Sequence, residues 1–434
     1  MNISQLAALS LSDLLNLIRD LAHPAAQHLS MQLASLESFG LGAHPLDTSL
    51  SELSTGEWQR ARLSSLATQQ LTGLMVIIDE PMSGLGVHES AHVARTLRLL
   101  VDHGNTVVVL LHWLPILPMV DWVLELGPLA GDAGGTLIHT GTPESLAQAT
   151  TPTAKALQPI PVTPIVDNCT TVTAGKMIVL SGASGSGKSR HLHKLAAEAE
   201  ATFQHVTHLN PYGGNNSKRS TPATLIGLWS TLRDLLARTK TAKVLGLSAS
   251  DFSLNRPGGR CEPCQGDGVI RVDLGPLPPV YQNCEACDGS RFQESVRAVQ
   301  WHGLSPENLL RMTATAARKS LSGHPKLARQ LQAMTSVGLG YLPLGQPAHS
   351  WSTGESRRLR IARTLAGLHR ADGQPTALFI DDPTAGLHPI DALELLETLR
   401  SVVDAGHALV VATHDPLVLA AADGILEMDG VSER

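Results

Sequence analysis

Residues 53–86 read LSTGEWQRARLSSLATQQLTGLMVIIDEPMSGLG. A Ser-x-Gly-Glu turn at Ser54, Gly56 and Glu57 opens a helix, and a helix N-terminus with free N–H groups favours anions. An apolar run follows and ends in Asp79-Glu80, as a buried strand would that delivers two carboxylates to one edge of a sheet. This is the late half of a nucleotide-binding α/β module. Such a module normally has a phosphate-binding loop well upstream, and the preceding residues leave no room for one. The pattern therefore predicts that Ser54 faces a nucleotide held elsewhere.

The same pattern recurs. FGLGAHPLDTSLSELSTGEWQRARLS (39–64) matches VGLGYLPLGQPAHSWSTGESRRLRIA (337–362) without a gap, at an offset of 298 residues from Ser54 to Ser352. Each copy leads into an apolar strand with two acids, LMVIIDEPMSGLG (74–86) and ALFIDDPTAGLH (377–388). Each then runs into a β-branched strand ending in His, NTVVVLLHW (105–113) and HALVVATHD (407–415). A repeat at this range signals two related domains rather than a solenoid. Alternating strands and helices predict α/β modules with largely parallel sheets. We place the late part of a first module at 1–150, a Thr/Pro/Ala-rich linker at 151–170, and a second module at 171–434.

The second module carries its own phosphate loop. MIVLSGASGSGKSR (177–190) is an apolar strand followed by Gly182-x-x-x-x-Gly187-Lys188-Ser189, with Gly185 inside the loop. Glycines let backbone N–H groups converge on phosphate oxygens, Lys188 can reach the β- and γ-phosphates, and Ser189 can hold Mg²⁺. A chance glycine-rich turn would lack both the Lys-Ser ending and the flanking strand and helix. Asp381 is then the acid that meets Mg²⁺ through water, and Asp382 takes the place of the carboxylate that orients the attacking water. His414 follows the next strand, where a γ-phosphate sensor is expected; an ordinary surface or core histidine is the alternative. In the first half, Glu80 and His112 hold the matching positions. A lone Ser-Thr-Gly-Glu is usually an N-cap with a capping-box Glu, but its duplication before paired acids favours nucleotide contact.

Inserted in the second module, at 251–295, lies NRPGGRCEPCQGDGVIRVDLGPLPPVYQNCEACDGSRF (255–292). Its Cys261-x-x-Cys264 and Cys284-x-x-Cys287 are separated by 19 residues. That spacing suits a structural four-thiolate Zn²⁺ site; redox pairs are the rival, without a thioredoxin-like context to support them. Arg256, Arg260, Arg271 and Arg291 flank the module and are either phosphate contacts or a solvated surface.

Bulk properties narrow the function. The 434 residues are 43% hydrophobic and 17% charged, a globular composition. A net charge of −6 excludes a wholesale electrostatic grip on DNA, and 3% aromatics exclude a broad stacking platform. No apolar run reaches the ~20 residues that span a bilayer, so the expectation is a cytoplasmic protein with no membrane partner.

In ATP-binding-cassette proteins the Ser-x-Gly-Glu turn faces nucleotide on the other module's P-loop. The resemblance thus pairs Ser54, Gly56 and Glu57 with Gly187, Lys188 and Ser189. The complementary site pairs Asp79, Glu80 and His112 with 352–355 and has no P-loop among these residues. Taken together with KRSTPATLIGLWSTLRDLLA (218–237), the zinc segment and both signature segments resemble the UvrA family of DNA-damage-recognition ATPases, over essentially the whole chain. The resemblance implies ATP-driven dimerisation and binding of damaged or distorted duplex DNA, as in nucleotide excision repair. It implies ATP and Mg²⁺ at Gly182, Gly187, Lys188, Ser189 and Asp381, with hydrolysis served by Asp382 and His414. It further implies Zn²⁺ on the four cysteines, and DNA contacts from Arg219, Arg256 and Arg260. The sequence departs from the family at several points. Its first P-loop and its UvrB-binding domain have no counterpart here, which speaks against handover to UvrB and for a homodimer or a partner chain with the missing P-loop. Thr55 and Thr353 replace a signature Gly, Asp382 replaces the usual Glu, Pro211 stands where a Gln is expected, and Trp113 replaces an Asp. These departures support an alternative: a weakly hydrolysing regulatory or drug-resistance module working with another chain.

Overall fold

The computed structural model describes residues 2–49, 53, 55–68, 72–82, 87–112, 114–128, 131, 134–157, 171–182, 186–209, 220–274, 277–368 and 374–428. Two α/β halves follow one another, in keeping with the repeat.

In the first half, β1 (Met75–Asp79) and β2 (Thr106–Leu110) form a parallel pair, and β3 (Val123–Gly127) pairs antiparallel with β4 (Thr136–Gly141). The helix Val87–Asp102 crosses from β1 to β2. Its Val93, Ala94, Leu97 and Leu100 form one core with Ile78, Phe39, Leu63 and Ile116. This core covers one face of the β1–β2 pair only. The signature helix Thr55–Thr68 packs on Pro24–Ser38, and a smaller leucine cluster (Leu11, Leu14, Leu15, Ile18, Leu33, Leu41) closes the N-terminal helices.

The second half is built on a five-stranded parallel sheet. Its strands are β5 (Met177–Ser181), β6 (His205–Leu209), β9 (Thr376–Asp381), β10 (Ala408–Ala412) and β11 (Gly424–Glu427), ordered β11-β5-β10-β9-β6. TALFID and ALVVA are continuous apolar runs because both faces of this sheet are covered, and a parallel sheet buried twice has no polar face. On one face Ala377, Phe379, Ala408, Val410 and Ala412 pack under the P-loop helix Lys188–Ala199. On the other, Leu378, Ile380, Leu409 and Val411 join the largest core, with the helices Leu228–Ala237, Pro325–Ser336 and Thr353–Leu368.

Between them, β7 (Val269–Leu274) and β8 (Leu277–Asn283) form an antiparallel hairpin that separates the two Cys-x-x-Cys turns. Residues 151–157, inside the stretch read as linker, form a capped helix, Pro152–Ala156, that packs on the helix Pro389–Asp404 of the second half. The physical reason is local: Thr151 caps Ala154 N–H and Pro152 presets the first turn. No described helix is long and apolar enough to cross a membrane.

Candidate nucleotide and metal sites

The P-loop strand β5 is central, so Gly182 and Ser189 emerge at the carboxyl edge of the sheet beside β9 and β10. A Cβ on Gly182 would stand 2.9 Å from the carbonyl oxygen of Met428, so no larger residue fits there. Gly187 holds φ +85 and starts the helix Lys188–Ala199 without a side-chain cap. The first-turn N–H groups are thus left for an anion. Ser186 Oγ is buried with no hydrogen-bond partner, and Lys188 Nζ donates to Gly182 O at 2.6 Å. Ser189 Oγ donates to Asp381 Oδ2 at 2.6 Å, although the two lie 192 residues apart in sequence. A hydroxyl and a carboxylate at this spacing, beside an uncapped helix start, are the donor set that Mg²⁺ and a polyphosphate require. Gly185 lies outside the described residues.

Asp382 sits at φ +47, with its N–H bonded to Ala412 O at 2.7 Å. Glu80 repeats this geometry: φ +47, N–H to Leu110 O at 2.8 Å. A left-handed non-glycine residue costs about 1 kcal/mol or more and persists where neighbours over-determine it. Two copies at equivalent positions mark the turn as a shared device. The carboxylates then diverge. Asp382 Oδ1 accepts from Thr413 Oγ1 at 2.7 Å, and Thr413 Oγ1 also accepts from Asp415 N–H. Asp415 in turn accepts from Thr384 Oγ1 at 2.5 Å. In the first half Leu111 replaces Thr413, and Glu80 Oε1 lies 3.4 Å from His112 Nε2. Burial, with Asp79 adjacent, raises Glu80 to about 7. His414 is half-buried at the end of β10, beside Thr413.

The first-half carboxylate site is closed by residues from the second half. His388 lies edge-on to His112 at 6.2 Å between ring centres. Its Nδ1 accepts from Ile390 N–H, which places the proton on Nε2, and Nε2 donates to Thr153 Oγ1 at 3.1 Å. Thr153 N–H donates to the buried Glu125 Oε1 at 2.8 Å. Burial lowers the pKa of both His112 and His388 and favours neutral rings. Ser352 caps Glu355 N–H while Glu355 accepts from Ser352 N–H, a complete capping box, and Tyr341 O–H donates to the same carboxylate. Arg357, five residues past the signature Ser, binds the carbonyls of Asp382 and Ala385. The sequence reading missed Thr413, His388, Tyr341 and Arg357. All four lie inside the segments 337–362, 377–388 and 407–415 quoted above, but nothing local marks any of them.

On the other side, Ser54 lies outside the described residues. Gly56 is in the first turn of Thr55–Thr68, and Glu57 Oε1 approaches His44 Nε2 at 3.4 Å.

The four thiols Cys261, Cys264, Cys284 and Cys287 are buried and converge within 4.8 Å of one another. The pairs Cys261–Cys284 and Cys264–Cys287 are 3.9 and 3.7 Å apart. A disulfide needs about 2.05 Å. A tetrahedral Zn–S₄ centre with bonds of ~2.3 Å needs sulfurs about 3.8 Å apart. Gly268 N–H points at Cys264 Sγ at 3.3 Å. Burial pushes the Cys261 thiol up to about 12 and raises Cys287, whereas at Cys284 backbone hydrogen bonds outweigh burial and lower it. The residues fit Zn²⁺, held structurally with no open coordination position.

Of the DNA candidates, Arg256 is exposed. Arg260 is engaged within the module instead, against Glu262 at 3.3 Å and Asn255 O at 3.1 Å. Arg291 is buried at φ +73 beside the thiols. Arg219 and Pro211 lie outside the described residues.

Parallel sheet, P-loop, paired acids and a serine turn at the N-terminus of the helix preceding the acidic strand define an ATP-binding-cassette module, here with a four-cysteine knuckle inserted. Residues 345–420 match a family described as "AAA domain, putative AbiEii toxin, Type IV TA system". UvrABC system protein A of Streptococcus pyogenes serotype M6 is 32% identical over 98% of this chain and 50% of its own length. The Streptococcus mutans protein of that name is 31% identical over 99% of this chain and 51% of its own length. The crystal structure of UvrA2 from Deinococcus radiodurans superposes with a TM-score of 0.85 at 31% identity, covering 98% of this chain and 59% of that one. The chain belongs to the UvrA family, and it spans about half the length of the curated relatives it matches.

Proposed function

We propose that this chain is a DNA-binding ATPase of excision-repair type. It binds Mg²⁺-ATP at Gly182, Gly185, Gly187, Lys188, Ser189 and Asp381, under Ser54, Gly56 and Glu57 of the first half, and recognises distorted or damaged duplex. The observation that carries the reading is the Ser189–Asp381 hydrogen bond at the mouth of an uncapped helix. Lys188 neutralises the β- and γ-phosphates, Asp382 orients the attacking water, and His414 contacts the γ-phosphate. Zn²⁺ on Cys261, Cys264, Cys284 and Cys287 holds the hairpin β7–β8 so that exposed Arg256 and Arg271 can meet phosphates, with Arg219 as a further contact. The composite nature of the sites calls for a homodimer or a partner that supplies a second P-loop.

ATP turnover of the zinc-loaded chain, with and without damaged duplex, beside Lys188→Ala, tests this. DNA-stimulated turnover that Lys188→Ala abolishes is the expected result. Turnover that DNA leaves unchanged would remove the DNA-repair reading.

A second reading has its own observation. Asp382 is both one methylene shorter than Glu80 and tied to Thr413, which supports a slow, regulatory nucleotide-binding module. ATP binding without measurable hydrolysis distinguishes it.

A further inference from the structure

The gapless repeat sets Ser54 on Ser352, so Gln59 falls on Arg357 and Arg60 on Arg358. Arg60 and Arg358 are both buried, a feature the two signature helices share. Arg357 is different: only the second half carries a cation at this position, and it is 6% exposed. A buried cation is costly unless its N–H groups are bonded. Arg357 Nη1 donates to Asp382 O at 2.7 Å and to Ala385 O at 3.3 Å. Bonds from an ionised donor are shorter and stronger than neutral ones, so the guanidinium grips the turn after β9 at both of its ends.

The helix Thr353–Leu368 meets this loop at a second point. A Cβ on Gly354 would stand 3.3 Å from Leu387 Cδ2 and 3.4 Å from Gly386 O. Gly354 and Arg357 are three residues apart and share a helix face. The signature helix therefore lies along the loop from Leu387 back to Asp382.

Asp382 is the residue this grip acts on. Three of its groups are each held at 2.7 Å: its N–H by Ala412 O, its Oδ1 by Thr413 Oγ1 and its carbonyl by Arg357. The first two ties come from β10 and the residue after it, the third from the signature helix. A left-handed non-glycine residue, here at φ +47, persists where neighbours over-determine it. With N–H and carbonyl both fixed, the Cα–Cβ direction is fixed as well. One methylene separates that Cα from the carboxylate, so Asp382 has no spare torsion with which to recover from a displaced backbone. Glu80 in the repeat has one more. The half with the shorter acid is also the half with the arginine.

We propose that Arg357 is a positioning residue for phosphoryl transfer: from the signature helix it sets the backbone of Asp382, and through it the place of the carboxylate that faces the attacking water. This role rests on the reading of the second half as an ATPase and adds the residue that aims its carboxylate. Arg357 acts only through the main chain of Asp382.

The test compares Arg357→Gln, the residue of the repeat, with Arg357→Lys in the full zinc-loaded chain. Phosphate release gives kcat, a fluorescent ATP analogue with Mg²⁺ gives affinity, and hydrogen exchange reports on residues 382–387. Arg357→Gln is expected to lower kcat ~10- to 100-fold, the range for a displacement of about 1 Å, with nucleotide affinity unchanged. Exchange at 382–387 is expected to rise while the P-loop helix stays as it was. Arg357→Lys, which keeps a cationic donor, is expected to lose less. In an Asp382→Glu background, where the longer side chain can recover its reach, Arg357→Gln is expected to cost about threefold or less. Equal losses in the two backgrounds, weaker nucleotide binding at unchanged kcat, or unaltered exchange at 382–387 would each overturn the positioning role and leave the ATPase reading standing. A parent protein without turnover that Lys188→Ala abolishes would instead sink the ATPase reading, and exchange at 382–387 would then decide by itself whether Arg357 holds Asp382.

Discussion

Lengthening Asp382 is the most informative perturbation of the proposed ATPase. The backbone at Asp382 and Glu80 is superimposable in its determinants: φ +47 at both, and an N–H bonded to the last residue of the neighbouring strand. Only the side chains differ. Glu80 extends to His112, whereas Asp382 stops at the Thr413 hydroxyl, 2.7 Å away. Asp382→Glu adds one methylene and moves the carboxylate outward by about 1 Å. Displacements of that size near a reacting group change rates by up to about 10²-fold. The expected outcome is a kcat raised ~10- to 100-fold, or ~1.4–2.8 kcal/mol off the barrier, with little change in KM because the P-loop is untouched. Thr413→Val, which releases the carboxylate without lengthening it, is expected to give a smaller gain. Steady-state phosphate release at saturating ATP reads both. An Asp382→Glu enzyme no faster than the parent would refute the argument that carboxylate reach limits turnover.

Three further outcomes follow from the geometry. Cys284→Ser breaks the thiolate tetrahedron; zinc by atomic absorption is expected to fall from one per chain to near zero, with several kcal/mol of stability lost. Glu80, raised to about 7 from 4.5, holds its proton longer when folded, so its contribution is complete below pH 4.5 and is lost as pH climbs through 7. With a third of the side chain exposed, that amounts to about 1–2 kcal/mol after solvent screening, and Glu80→Gln is expected to flatten the Tm–pH curve over this window. His388→Ala removes the cap on Ile390 and the bond to Thr153, and is expected to cost about 1–2 kcal/mol in denaturant melts.

Much of this chain was legible one residue at a time. A P-loop, a Cys-x-x-Cys pair and a strand that ends in two acids are local statements, because short-range backbone geometry and ligand spacing dictate their residue types. The repeat was legible as well: a buried parallel strand has to be apolar on both faces, and both TALFID and LMVIID satisfy that. Yet identical patterning hid an opposite outcome. Ile77 and Phe379 look alike in sequence, and only the tertiary structure leaves one bare and buries the other, because burial depends on what the rest of the chain brings to a face. The same holds for Thr413 on Asp382, for His388 beside His112 and for Arg260 folded onto Glu262. Each joins groups that the sequence holds apart or gives no reason to pair. Local chemistry determined which residues can hold phosphate and zinc; long-range packing decided which of them meet, and which apolar residues of the first half stay exposed.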